Sequence, residues 1–512
     1  MKRPLLFLAL LVFALIGLVP LALMLERLRP EHFSTVFESR NLALLGRTLL
    51  LGFGAAGLAS LVGVPFAYLI TRTRLPGAQL WGALSVVPLL FPPLILAMSW
   101  AGLSDIRGGI ATTALMALST LPILVLFAAR ACERIDGRQL EAARLCGGVR
   151  AELGIVWAEI RPSVLCAAAF AFLFATNDFA VPDYVSSIGP KFNVYADEVF
   201  ATWRSSQDTG RAVASALPLV ALSLLALHLA LRARASAAQG ALASDFRARE
   251  RLDLGAWKWP ALLFVLAVLT IGVFAPVGRL IFESGGGARG FSLANMQAAF
   301  GRALELGRAN LQTSLVCAGA AALLSIPLAL LIGHALARST RLGRLGALAV
   351  VLPLSVPAIL LGIGTIATWN RPLTADLYDS NGMVIVLMLA RFLPFAVLVF
   401  AAGVALCDPR SEDAARLCGA GSLKRLVCIV APPLLPALVG GATLVFVLAM
   451  REIDAAILVP AANGTILFRL YNAVHFGRDD FVAALALLVV FFVVLPGLLW
   501  SLFARRRLEF LP

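Results

Sequence analysis

Glu141-Ala142-Ala143-Arg144-Leu145-Cys146-Gly147 returns 272 residues later as Asp413-Ala414-Ala415-Arg416-Leu417-Cys418-Gly419. The shift is a little over half of the 512-residue chain, and each copy sits in a polar stretch between very apolar ones. A repeat of this length sets architecture before any local signal does. It reads as two related membrane halves, each presenting the same small element to one compartment.

Composition fixes the solvent. The chain is 60% hydrophobic and 14% charged, with mean hydropathy +0.90. Apolar runs of roughly twenty residues recur throughout, which is the length a helix needs to cross a bilayer. The runs are continuous rather than alternating, so a transmembrane barrel is excluded. The expected fold class is all-α and polytopic, with about twelve spans as two parallel six-helix repeats. Six fall near 4–25, 43–70, 80–103, 110–130, 163–187 and 212–232. Six more fall near 260–282, 310–337, 345–369, 382–406, 434–460 and 481–504. The first, after Lys2-Arg3, is read as an anchor: it is long for a signal-peptide core and lacks a convincing small-residue cleavage site.

With both termini in the cytoplasm, the whole basic excess of the +14 net charge falls on the inner segments. The high pI is therefore read as topology rather than nucleic-acid binding. Six of the seven cysteines fall in or beside inner loops, and no CxxC pair occurs. They are expected to be reduced and to hold no metal. The polar stretch from Arg232 to Trp257 reads as a cytoplasmic linker, giving a first half over 1–233, a linker over 234–258 and a second half over 259–512.

Prolines support the repeat. Pro122 and Pro394 share the 272 spacing, while Pro88 and Pro92 match Pro353 and Pro357 at 265. Proline removes a backbone donor, so these spans are expected to be kinked or interrupted.

In each half the recurring element follows the fourth span and precedes the fifth. Alanine and leucine favour a short helix, and glycine stops it. The pattern Asp413-Ala414-Ala415, Gly419, Ile429-Val430-Ala431-Pro432 resembles the EAA loop of binding-protein-dependent ABC importer permeases. The first copy keeps Glu141, Ala142, Ala143 and Gly147, then departs; a two-residue deletion aligns Arg161-Pro162 with Leu435-Pro436 and Asn177-Asp178 with Arg451-Glu452. The fused arrangement is similar to iron(III) and thiamine importer permeases, and Arg391-Phe392-Leu393-Pro394 agrees with it.

That resemblance implies a type I importer permease (MetI-like) fold in the bacterial inner membrane. It implies two copies of a cytoplasmic ABC ATPase, docked at Glu141, Ala142, Ala143, Gly147, Asp413, Ala414, Ala415, Gly419 and Pro432, and a periplasmic solute-binding protein. It also implies that no cofactor is bound by this chain, with ATP-Mg on the ATPase. The residues agree: there is no phosphate-binding G-x-x-x-x-G-K-[S/T], and the only lysines are Lys2, Lys191, Lys258 and Lys424. No catalytic cluster points to an enzyme.

Ionisable residues inside a membrane are costly and mark function. Asn177, Asp178, Arg391, Arg451, Glu452 and Asp454 are the candidates for the solute pathway. Two other readings stand beside that one: the charges at the fifth spans end their helices, or Arg391 and Arg451 pair internally with carboxylates. Iron(III) leads as the solute, followed by thiamine, phosphonate, polyamine or sulfate. A secondary transporter driven by an ion gradient is the rival class.

Overall fold

A computed structural model describes residues 3–105, 107–206, 208–239, 251–286, 290–338, 342–458, 464–474 and 479–508. Backbone amides in hydrocarbon must be satisfied within their own segment, so the apolar runs become helices. In chain order these are α1 (Pro4–Leu25), α2 (Ser39–Arg72), α3 (Ala78–Leu90), α4 (Pro93–Leu103), α5 (Gly108–Glu133), α6 (Gly137–Asn177), α7 (Ala180–Ile188), α8 (Tyr195–Ser206), α9 (Thr209–Gln239) and α10 (Gly255–Ser284). They continue as α11 (Leu293–Arg338), α12 (Leu342–Ser355), α13 (Ala358–Trp369), α14 (Asn381–Leu406), α15 (Arg410–Leu417), α16 (Ser422–Val430), α17 (Leu435–Met450), α18 (Ile466–Val474) and α19 (Asp479–Leu508).

Among the described residues, nine helices are long and apolar enough to cross a membrane. Three bent pairs raise the number to twelve: α3 with α4 (100°), α12 with α13 (112°) and α16 with α17 (89°). The first two breaks fall at matched prolines. Pro92 (φ −55, ψ 132) and Pro357 (φ −53, ψ 141) are extended and open α4 and α13. A proline ring pushes the preceding residue out of the helical region, and Phe91 is extended accordingly (φ −75, ψ 132). The expectation fails at Pro122 and Pro394, where α5 and α14 run on without a break. Both prolines are buried, and packed neighbours let a membrane helix keep its course through a missing bond.

The chain forms two compact units that do not follow the order of the sequence. One comprises residues 37–198 and 218–282; in it α2, α5 and α6 pack on one another. The other comprises 1–36, 199–217 and 283–512, and there α11, α14 and α17 make the same three-helix core. Each half of the sequence thus gives its first span to the unit built mainly from the other half. Within one unit α1 packs on α11 and α13. Within the other, α10 packs on α2 and α3.

The two exchanged spans share a device. Each contains a π-helical turn, at Ala14–Leu18 and Thr270–Phe274, with a glycine inside it. A Cβ on Gly17 would stand 3.3 Å from Pro353 Cγ; one on Gly272 would stand 3.2 Å from Pro88 Cγ. The glycines let each exchanged span lie against the proline-rich arm of a broken span. Of the proposed linker, α9 continues to Gln239, and 240–250 lie outside the described residues. Leu252 exchanges backbone hydrogen bonds of 2.8 Å with Arg72 and Arg74, which fastens the chain ahead of α10 to the end of α2.

Overpacking a tight contact costs typically about 1–3 kcal/mol. Gly17→Leu and Gly272→Leu should each lower the thermal midpoint of the detergent-purified chain. Gly46→Leu, with nothing within 4 Å of its Cβ position, should leave it unchanged. Equal midpoints for all three would refute the contact.

Candidate functional sites: two loop helices and the charged ends of the fifth spans

Both recurring elements are helices that start at matched aspartates. Asp136 Oδ1 accepts from the Arg138 amide at 3.0 Å, and Asp408 Oδ1 accepts from the Arg410 amide at 2.9 Å. These caps keep the 272 spacing and satisfy amides that a helix start leaves bare. The stops differ. In the second loop Gly419 (φ +78) closes α15 with bonds from the Gly419 amide to Arg416 O (3.0 Å) and from the Ala420 amide to Ala415 O (3.0 Å). That is the paired-bond ending that glycine makes possible. In the first loop the left-handed residue is Gly148 (φ +66, ψ −157), one position past Gly147 (φ −151, ψ 18). This backbone region is essentially restricted to glycine. The chain then resumes as one helix through Pro162 to Asn177. In the second half it bends again at 431–434, where Pro432 is exposed.

Glu141, Ala142, Gly147, Asp413, Ala414 and Gly419 are exposed, and Ala143 and Ala415 half-buried. The sequence reading missed the most telling pair. Leu145 is 89% and Leu417 90% exposed, at the same repeat position. A leucine this bare, next to small residues on a short capped helix, presents apolar surface to something else. The available signal was that leucine falls inside the repeated hexapeptide.

Each loop helix is tied to the second span of its own half. Arg72 donates to Ile135 O at 3.0 Å, and Arg338 donates to Cys407 O at 3.2 Å. The two carbonyls again lie 272 residues apart, immediately ahead of the capping aspartates. The second loop adds a further anchor: Glu412 accepts from Arg338 Nε at 2.8 Å and meets His334 Nε2 at 2.8 Å. Burial resists ionisation of Glu412, but its bonds to His334 and Arg338 outweigh that and hold the carboxyl below its ordinary value. In the first loop the matching position is Leu140, which is buried. One loop is therefore seated by charge, the other by apolar contact.

Five of the six pathway candidates lie where the fifth spans stop; the sixth, Arg391, lies within α14. Asn177 is the last residue of α6 and donates to Leu173 O (2.8 Å) and Ser223 Oγ (3.0 Å). Asp178 Oδ1 accepts from the Val181 amide at 3.0 Å, three residues on, at the start of α7. The other half repeats this: Arg451 ends α17, and Glu452 Oε1 accepts from the Ala455 amide at 2.7 Å. The same Glu452 oxygen takes a 2.8 Å hydrogen bond from Arg391, whose other terminal nitrogen lies 4.0 Å from Asp454 Oδ2. Of the readings open in the sequence, these charges do end their helices, and Arg391 pairs with Glu452. The first half has Ser119, not arginine, at the position 272 residues before Arg391. Near Asp178, on the segment after the fifth span, burial pushes the Asp197 carboxyl up to about 8; the Val194 amide opposes this, while Asp183, Asp178 and Glu198 add to it.

Two outcomes follow from this geometry. Breaking a buried ion pair on one side costs about 3–5 kcal/mol. Arg391→Met should therefore lower the thermal midpoint sharply, and Arg391→Met with Glu452→Met should recover much of the loss; equal damage from single and double variants would contradict the pairing. Asp197 binds its proton more tightly in the folded chain than in the unfolded one, so it favours folding at low pH. That benefit is lost as pH rises from about 4 to about 8. Asp197→Asn should flatten this part of the stability profile, and an unchanged profile would disprove the assignment.

The comparisons with known proteins bear on the same regions. Residues 325–509 match the family of binding-protein-dependent transport system inner membrane components. A ferric transport system permease protein of Actinobacillus pleuropneumoniae is 22% identical over 470 residues, covering 86% of this chain and 68% of its own. A sulfate transport system permease protein of Salmonella typhimurium is 25% identical over 43% of this chain and 87% of its own. A molybdate/tungstate transport system permease protein of Pyrococcus abyssi is 27% identical over 37% of this chain and 77% of its own. The family implies partnership with an ATPase and a binding protein, and the apolar helices make this a multi-pass inner-membrane protein, a transport subunit rather than an enzyme. Residues 325–509 thus carry the inner membrane component of binding-protein-dependent transport systems, and the chain as a whole is similar to ABC importer permeases, in a two-half form like that of the ferric permease.

Proposed function

We propose that this permease moves iron(III) from a periplasmic binding protein into the cytoplasm by alternating access, driven by two copies of a cytoplasmic ATPase. The observation that carries the coupling part is the matched pair of bare leucines, Leu145 and Leu417, on loop helices of the same design. A partner present in two like copies needs two like sockets. The socket residues are Glu141, Ala142, Ala143, Gly147, Asp413, Ala414, Ala415, Gly419 and Pro432, with Leu145 and Leu417 as the apolar contacts at their centre. This chain then needs no cofactor of its own, ATP and Mg²⁺ being held by the ATPase. Both termini lie in the cytoplasm on this reading, because that orientation puts the basic excess inside.

Iron is favoured over sulfate and molybdate because the ferric relative aligns along both halves, at 86% of this chain, while the other two align over less than half of it. The pathway residues are Asn177 and Asp178 in one unit and Arg391, Arg451, Glu452 and Asp454 in the other. Asp178 and Glu452 each brace the backbone that follows their fifth span, so each group moves with its own span. ATP-driven approach of the ATPase subunits would shift the loop helices. The arginine ties at Arg72 and Arg338 would pass that shift into α2 and α11. The solute path opens only if the ATPase and the binding protein bind the two states with different affinity.

Leu145→Asp and Leu417→Asp should leave the protein at normal levels in the membrane, abolish ATPase capture and cut radioactive iron(III) uptake at least tenfold. Gly147→Asp and Gly419→Asp should do the same. Normal capture and uptake in all four would overturn the docking assignment. Uptake assays with labelled iron(III), sulfate and molybdate, in cells carrying the cognate ATPase and binding protein, decide the solute. Uptake of either oxyanion without iron would overturn the iron assignment and leave the importer class standing.

A further inference from the structure

The function proposed above leaves unexplained an apolar cleft in the unit built from 37–198 and 218–282. It has a volume of about 540 Å³ and is walled by α2, α5 and α10, with Leu58, Leu118, Phe264 and Ile271 among its lining. Its volume falls within the range of about 300–1,000 Å³ that holds small-molecule ligands. A cleft of this kind at bilayer depth does not stay bare, because lipid chains surround it.

One end of the cleft differs from the rest. Trp100 and Ser104, at the close of α4, are its polar-tipped members. The Trp100 Nε1–H is buried and has no hydrogen-bond partner among the described residues. A buried donor left without an acceptor is unfavourable, so an acceptor from outside the chain is called for. Two residues past Trp100, Gly102 faces Arg279: a Cβ there would stand 2.5 Å from Arg279 Nε. The Arg279 guanidinium also lies 6.0 Å from the Phe282 ring centroid. Along α10, Arg279 sits about two turns beyond Ile271, past the apolar wall.

An apolar slot, an indole N–H at its mouth and a cation beyond match the parts of one molecule in order. We propose that this cleft is a binding site for a single anionic glycerophospholipid. Its acyl chain fills the cleft, an ester carbonyl accepts from Trp100 Nε1, and its phosphate lies by Arg279. Tryptophan and arginine are both favoured at the level of the headgroups, where such a lipid has its carbonyl and phosphate. In the orientation proposed above, this is the outer leaflet. The site uses no residue of the loop helices and does not depend on which solute is carried. Its occupant would hold the exchanged span α10 against α2 and α5.

The full-length chain, purified in mild detergent and supplied with dioleoyl-phosphatidylglycerol, should retain one such lipid in native mass spectrometry after washing that strips the rest. Ala114→Trp puts an indole into the cleft wall and should reduce that retention at least fivefold. Trp100→Phe keeps the ring, loses the N–H, and should reduce it about threefold while the protein stays monodisperse. Arg279→Gln should weaken retention of phosphatidylglycerol but not of dioleoylglycerol, which has no phosphate. The proposal is overturned if the wild type retains no lipid. It is equally overturned if Ala114→Trp and Trp100→Phe retain it as the wild type does, if the retained mass is a second copy of the chain, or if Arg279→Gln affects both lipids alike.

Discussion

A bilayer offers no water to a bare amide, and that constraint organises this fold. Each half breaks its third span at a proline, Pro92 or Pro357, turning it through 100° or 112°. A break of that kind survives in hydrocarbon only under cover of other protein. The cover comes from the exchanged first spans: Gly17 lies under Pro353 in one unit and Gly272 under Pro88 in the other. The π-turn around each glycine widens the helix locally, which suits it to a neighbour whose own backbone has left the helical path. Domain exchange and proline breaks are thus one solution, used twice.

The loop helices follow a similar economy. A short helix outside the membrane is marginal by itself, so its position must be set by caps and ties. Asp136 and Asp408 start it, Gly148 and Gly419 stop it, and Arg72 and Arg338 fix the carbonyl just before it. With its start held to the second span, the helix keeps a fixed position on that span. The exposed leucine near its far end is then free to serve a partner.

Much of this was legible in sequence. The hexapeptide repeat located both loop helices, and apolar run length anticipated the nine spanning helices and three bent pairs found among the described residues. Two other features lay beyond it. The exchange of first spans is set by contacts between residues far apart in sequence, such as Gly17 with Pro353 and Gly272 with Pro88. No local pattern reports them, although Ile16-Gly17 and Ile271-Gly272 near a following proline are a visible trace. Proline position alone also failed to separate a broken span from a continuous one. Pro92 and Pro357 interrupt and Pro122 and Pro394 do not, because the outcome depends on what packs around the missing bond. At the fifth spans, charge spacing located the residues but left their partners open. The pairing of Arg391 with Glu452 depends on the approach of α14 to α17.

The halves are alike in frame and unlike in charge, and the differences fall at functional positions. Arg391 faces Glu452 and Asp454 in the second half, whereas Ser119 takes the matching place in the first. Glu412 binds Arg338 and His334 in the second loop, where the first has buried Leu140. Gene duplication supplies two equal levers, but a solute crossing a fused permease meets a different wall from each half. On the function proposed above, identity is kept where a partner present in two like copies would grip and relaxed where the halves need only pack. The retained hexapeptide and the diverged ion pairs fit that division. It also explains why the loops reveal the transporter class so plainly, while the membrane interior says much less about its cargo.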